Sequence, residues 1–177
     1  MEENGSSERS VEVWRTVSVP DLRRQLVALL PRLRRFARAL ARNAADADDL
    51  VQLALERALA RAGQARPDSD LGGWMYGILR NAWIDELRSR GRRARLFAPA
   101  EAARHEGDDS QPRQAELLSV QEALARLPQE QRIAVALVLI EGLSYKEAAH
   151  IMQVPIGTLT SRLARGREAL QKMLGDS

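Results

Sequence analysis

The sequence predicts an all-α chain made of two small helical domains joined by a flexible linker. Three observations carry that reading. Apolar residues recur at helical spacing, as in Leu22, Leu26, Leu29/Leu30, Leu33, Ala37 and Leu40. The stretch from Gly91 to about Gln114 is rich in Arg, Ala, Pro, Gly and Asp and has no apolar period, so it separates two periodic halves. Leu143 to Lys172, LSYKEAAHIMQVPIGTLTSRLARGREALQK, reads as two helices around a tight turn. The expected division is a mobile tail over 1–20, a first domain over 21–94, a linker over 95–115 and a second domain over 116–175.

Composition narrows the chemistry. The chain has 177 residues, 45% hydrophobic and 29% charged, enough for one domain or two small ones with buried cores. Net charge is only +3 while the pI is near 9.9, a mild excess with local arginine clusters that suits a nucleic-acid binder. The absence of cysteine excludes disulfides, thiolate nucleophiles and zinc fingers. His105 and His150 lack ligand-like spacing, and no cofactor is expected. No apolar run approaches the roughly 18–20 residues that span a bilayer, so no membrane insertion is expected. The start, MEENGSSERS, lacks a signal-peptide pattern, and the expected location is the cytoplasm.

The elements follow in order. The helix from Asp21 contains Pro31, which either kinks it or opens a new first turn. Its outward arginines Arg32, Arg34, Arg35 and Arg38 form a solvated or phosphate-facing surface. A second helix starts near Asn43–Asp46, with Asp46, Asp48 and Asp49 complementing the dipole of its N-terminus. Its core stripe is Val51, Leu55, Ala58, Leu59 and Ala62. No His, Cys or fourth acid completes a metal site around the three aspartates, and capping accounts for them.

After GQARPDSD, loop chemistry from Gly63 to Asp70, a helix of about five turns begins at Leu71. It carries a core stripe of Leu71, Trp74, Ile78 and Ala82. A second stripe, Tyr76, Arg80, Trp83 and Leu87, lies nearly opposite, and Arg88, Arg90, Arg92, Arg93 and Arg95 follow. Aromatics that stack on bases beside cations that hold phosphates are what single-stranded DNA binding requires.

The linker, roughly 20 residues at about 3.3–3.6 Å each, reaches up to ~70 Å, about two turns of duplex. Leu117, Val120, Leu124 and Leu127 then give a helix that stops at Pro128. Ile133 to Ile140 is almost wholly apolar, a helix buried on several sides that closes at Gly142. Ser144 and Glu147 form a capping box for the next helix, and Pro155 stands at or near the start of the last. Ile156, Leu159, Leu163, Leu170 and Met173 make the core stripe of that last helix. At 100° per residue, Ser161 and Arg165 point away from it, with Thr158, Ala164 and Lys172 alongside and Thr160, Arg162 and Arg167 on the flanks. That presented face is what a helix-turn-helix offers to DNA.

These residues also carry a family likeness. VPIGTLTSRLARGRE resembles the last helix of bacterial sigma factors of the extracytoplasmic-function (ECF) group. Asp46-Ala-Asp-Asp-Leu-Val-Gln52 is similar to the family segment that docks on core RNA polymerase, and the helix from Leu71 resembles the one that opens and reads the −10 promoter element. The resemblance implies a sigma region 2-like bundle and a region 4-like helix-turn-helix. It implies polymerase docking through Asp46, Asp48, Asp49, Gln52 and Glu56. It implies −10 contacts by Arg66, Asp68, Tyr76, Arg80, Asn81, Trp83 and Arg88, with the loop Ala65 to Leu71 holding a flipped base, which costs a few kcal/mol to extrude. It implies −35 contacts by Thr158, Thr160, Ser161, Arg162, Arg165 and Arg167. Promoter DNA, core polymerase and an anti-sigma factor are the implied partners, and no catalysis is expected.

Three positions depart from the family pattern. Gln153 stands where a turn glycine is usual, which strains a left-handed backbone. Gly166 replaces the usual alanine, which weakens a helix by roughly 1 kcal/mol. Leu53 follows Gln52 where an acid is usual. Two rival readings remain: a helix-turn-helix regulator that binds operators without polymerase, and an acid-dependent nuclease resting only on the three aspartates.

Overall fold

The computed structural model describes residues 19–64, 70–96 and 120–175. All regular structure among them is helical. The N-terminal unit contains α1 (Val19–Leu40), α2 (Ala44–Ala60), a 3-10 turn (Ala62–Gln64) and α3 (Leu71–Leu96). The C-terminal unit contains α4 (120–126), α5 (Gln129–Val135), a π-helical segment (Ala136–Ile140), α6 (Tyr145–Met152) and α7 (Ile156–Gly175). Thus α1 begins within the expected tail, and α3 runs through Gly91 to Leu96 into the expected linker. The rest of that linker lies outside the described residues.

The N-terminal unit closes as its periodicity requires. Leu22, Leu26, Leu33, Phe36, Ala37 and Leu40 of α1 are buried, and the helix continues unbroken past Pro31 on its exposed side. Asn43 rather than an aspartate caps α2, its side chain accepting from the Asp46 amide at 2.8 Å. The packed stripe of α2 is rotated from the expected one: Ala47, Leu50, Val51, Ala54 and Ala58 are buried, while Leu55 and Leu59 are half-buried. Alanines let the backbone approach α1 and α3 closely, and the larger leucines flank the seam.

In the C-terminal unit, Gly142 closes the π-helical segment at φ 71, a backbone that glycine adopts without Cβ strain. Both halves of the capping box form: the Ser144 amide donates to Glu147 Oε2 at 2.8 Å, and the Glu147 amide donates to Ser144 Oγ at 3.2 Å. Gln153 does take the left-handed conformation, φ 56 and ψ 44, between α6 and α7. Leu159 and Leu163 are buried as expected, whereas Ile156 in the first turn of α7 is 51% exposed.

The two units are packed against each other. The α3 helix lies on α6, and α1 lies on the π-helical segment and α5. Arg132 of α5 is buried and donates through Nη1 to the Leu40 carbonyl at 2.9 Å, satisfying an orphan acceptor at the end of α1. Its Nη2 donates to the Leu127 carbonyl at 3.1 Å and also to the carbonyl of Ala125. Glu141, directly after the π-helical segment, buries its whole side chain against α1 and α3.

Candidate nucleic-acid interface

Candidate DNA-facing residues on α3 divide into exposed and buried sets. Asn81 and Arg88 are exposed. Tyr76 and Trp83 are 1% and 3% exposed, which corrects their expected placement on a base-stacking face. The physical reason is that α1 and α2 cover the side of α3 that carries these two rings, while α6 lies on the Trp74 and Ile78 side and leaves Trp74 half-buried. Tyr76 meets Phe36 edge-on with ring centroids 5.1 Å apart. Its hydroxyl donates to Glu141 Oε2 at 2.6 Å. Burial, and then that hydrogen bond, raise the phenol pKa well above its ordinary value. Trp74, expected in the core, is half-buried. It lines a cleft of ≈ 880 Å³ between α3 and α6 together with Asn81, Lys146, Glu147 and His150. Arg66 and Asp68 lie outside the described residues.

Arg80 sits in the seam between the units. It is half-buried, and desolvation lowers its pKa while nearby Glu130 opposes that shift and Arg162 adds to it. Arg162 belongs to α7, and its Nη1 lies 2.7 Å from Glu130 Oε2, an ion pair whose angle falls short of a hydrogen bond. A residue expected to read the −10 element and one expected to contact the −35 element therefore lie near one carboxylate, which Arg162 pairs with and whose charge Arg80 feels. Sequence alone offered no signal for this, because Glu130 lies outside every motif.

The presented face of α7 is open. Ser161, Arg165 and Arg167 are exposed, and among the described residues neither arginine has an ion pair or hydrogen bond. Thr160 Oγ1 donates to the Ile156 carbonyl at 2.9 Å, and Ser161 Oγ donates to the Thr158 carbonyl at 3.0 Å. Both residues are exposed, and a hydroxyl that donates still has lone pairs with which to accept. Thr158 is half-buried at the first turn.

On α2, Asp48, Asp49, Gln52 and Glu56 are exposed on one side, and Gln52 Nε2 donates to Glu56 Oε1 at 3.2 Å. Asp46 instead turns to Arg90 of α3, 3.1 Å away, and Asp48 faces Arg34 at 3.8 Å. Asp46 and Asp48 thus diverge, and no metal-like group of three or more His, Cys, Asp or Glu occurs among the described residues. No helix among them is long and apolar enough to cross a membrane.

Comparison with known proteins agrees with this layout. Residues 26–80 match the family model "Sigma2 domain of PhyR", and residues 117–170 match "Sigma-70, region 4". The ECF RNA polymerase sigma factor EcfG of Rhodopseudomonas palustris is 41% identical over 156 residues, which cover 86% of this chain and 84% of that protein. SigM of Mycobacterium tuberculosis, also an ECF sigma factor, is 38% identical over 81% of this chain and 71% of its own length. Among solved structures, the sigma factor RpoE of Bartonella quintana, in complex with the anti-sigma factor NepR, superposes with a TM-score of 0.73 at 34% identity. That match covers 88% of this chain and 97% of RpoE. CnrH, in complex with the cytosolic domain of CnrY, shares the fold with a TM-score of 0.68 at 24% identity. With both helical units matched in order and relatives aligned along most of their length, the chain belongs to the ECF RNA polymerase sigma factors.

Proposed function

We propose that this sigma factor divides promoter recognition between its two helical units while docking on polymerase through α2. Directing core RNA polymerase to specific promoters is the function of the whole chain. Within it, Asp48, Asp49, Gln52 and Glu56 form the polymerase-facing side of α2, with Asp46 holding that helix to α3 through Arg90. Asn81, Arg80 and Arg88 of α3 serve the −10-type element, with Arg66 and Asp68 in the preceding segment. Tyr76 and Trp83 hold α3 in shape. Arg165 with Ser161, Thr158 and Thr160 reads the −35-type duplex, and Arg167 holds phosphate. The protein acts in the cytoplasm and catalyses no reaction of its own. An anti-sigma factor is a further partner, as it is for RpoE of Bartonella quintana.

The observation that carries this reading is the pairing of an acidic, unburied side of α2 with an unpaired arginine face on α7, at opposite ends of the chain. Run-off transcription with core polymerase on a genomic promoter library tests it. Specific transcripts should require both the chain and core. The double variant Asp49→Lys/Gln52→Ala should keep its helicity and lose about tenfold or more in core affinity, about 1.4 kcal/mol. Retardation of operator DNA at equal affinity with and without core, and no transcripts, would favour the stand-alone regulator instead.

A further inference from the structure

Among the described residues, every polar partner of the buried Glu141 side chain comes from the other half of the molecule. Its side chain is fully buried. Arg35 of α1 grips it bidentately, Nε to Oε1 at 2.8 Å and Nη2 to Oε2 at 3.0 Å. Tyr76 of α3 donates its hydroxyl to Oε2 at 2.6 Å, and Arg32 Nε stands 3.5 Å from the same oxygen. The Arg32 guanidinium also lies 5.7 Å from the centroid of the Tyr76 ring, so the receptor is braced by a cation–π contact. Charge-assisted, bidentate contacts of this kind are short and strong, and here they saturate a carboxylate that burial would otherwise penalise. The π-helical segment ends at Ile140, and the Glu141 amide donates to the Ala136 carbonyl at 3.0 Å, so an extra residue per turn sets the register at which Glu141 leaves the helix.

The same packing cannot read a promoter. Arg162 pairs with Glu130 and Arg80 stands near enough to feel both charges in this arrangement, yet Arg80 belongs to the unit for the −10-type element and Arg162 to the unit for the −35-type element. Two recognition elements a turn or more of duplex apart are separated by at least about 34 Å. The units must part before both elements are read at once.

We propose that Glu141 is a latch, with Arg35, Arg32 and Tyr76 as its receptor, that holds the free sigma factor in a closed, promoter-incompetent state which core polymerase must open. The promoter argument rests on the sigma-factor reading, whereas closure itself is measurable without polymerase. Loss of a charge-assisted bidentate contact should lower the closed-to-open ratio by about 10- to 100-fold. The apparent affinity for core should tighten by whatever factor the competent fraction rises.

The absence of native cysteine makes the test direct. Gln25→Cys on α1 and Gln171→Cys on α7, both at exposed positions, carry a fluorescent donor–acceptor pair on the full chain. The otherwise unaltered protein should show one compact population. Glu141→Lys, which sets a cation against Arg32 and Arg35, and Arg35→Glu, which sets two carboxylates together, should each shift most molecules to a longer distance. Exposed Glu122→Gln should not. Circular dichroism of each variant checks folding, and Tyr76→Phe, which keeps the ring packing and removes only the hydroxyl donor, supplies a milder arm. Unchanged distances in both charge variants, or an extended population before any of these changes, would overturn the latch. Opening without tighter core binding would overturn its inhibitory role. If the variants open while no variant supports transcription, the latch stands and the sigma-factor reading fails.

Discussion

Arg162, Arg165 and Arg167 crowd one turn and a half of α7, yet their surroundings assign them different work. Arg165 is exposed and, among the described residues, unpaired, so its planar fork is free for guanine O6 and N7, a contact worth about 1–3 kcal/mol against a wrong base. Lysine keeps the charge and loses the fork. Arg165→Lys should therefore erase part of that discrimination at one or two base pairs and nearly preserve non-specific binding. Arg167, also exposed and unpaired, has the character of a phosphate contact, and Arg167→Ala should lower the salt slope by roughly one. Arg162 is engaged with Glu130, so we read its flank position as a brace between α7 and α5 in place of a phosphate contact. Arg162→Ala should leave the salt slope near its original value and cost about 0.5–1 kcal/mol of stability, as a partly exposed pair does. Binding across single-base variants of the −35-type element at several salt concentrations separates the three. A changed base preference in Arg162→Ala with none in Arg165→Lys would mean the roles are reversed.

At the scale of elements, Gly166 shows packing overruling propensity. In the sequence it reads as a weak point in α7, worth roughly 1 kcal/mol against alanine. In the structure α7 crosses α5 there. A Cβ would stand 2.8 Å from Val135 Cγ2 and 3.4 Å from the Gln131 carbonyl oxygen. Val135 is itself buried, so its methyl has nowhere to retreat. Overpacking costs typically about 1–3 kcal/mol, which outweighs the propensity gain. Gly166→Ala should thus destabilise the protein by up to about 2 kcal/mol. Combined with Val135→Ala, its cost should be smaller than the sum of the two single changes, because the second change vacates the contested space. Thermal or denaturant unfolding of the three variants measures this, and a stabilised Gly166→Ala would refute the close crossing.

At the scale of the whole molecule, the closed arrangement is sensitive to alkali through Tyr76. Its phenol pKa is raised above the ordinary 10.0, first by burial and then by the hydrogen bond to Glu141, while Arg32 and Arg35 oppose the shift. The raised group favours closure fully below the ordinary value. Above it, the open form ionises first, and closure weakens until the pH passes the higher pKa of the closed form. A tyrosinate would also face Glu141 directly and could no longer donate to it. The compact fraction should therefore hold steady up to about pH 9 and decline above about pH 10. Tyr76→Phe should lose this component of the pH dependence. The same distance measurement follows it, and an identical alkaline decline in Tyr76→Phe would assign the effect to other groups.

Local rules carried much of the architecture into view before any coordinates. The helical class, the box at Ser144 and Glu147, the left-handed turn at Gln153 and the outward direction of Arg165 are each decided within four or five residues of chain. Periodicity and capping act over that range, so the sequence by itself determined them. It determined the family as well, because the motifs on α2, α3 and α7 are contiguous. What only the tertiary structure decided was which side of each helix is covered when two helical units meet. The second stripe of α3 reads as a presented face on an isolated helix, and its aromatics become core where Tyr76 meets Phe36 of α1 and Trp83 lies beside Leu50 and Leu53 of α2. Glu141 and Glu130 belong to no motif, and their partners stand 106 residues away for Arg35, 65 for Tyr76 and 32 for Arg162. Burial and charge pairing depend on distance in space, and at such separations only the packed fold brings those groups together.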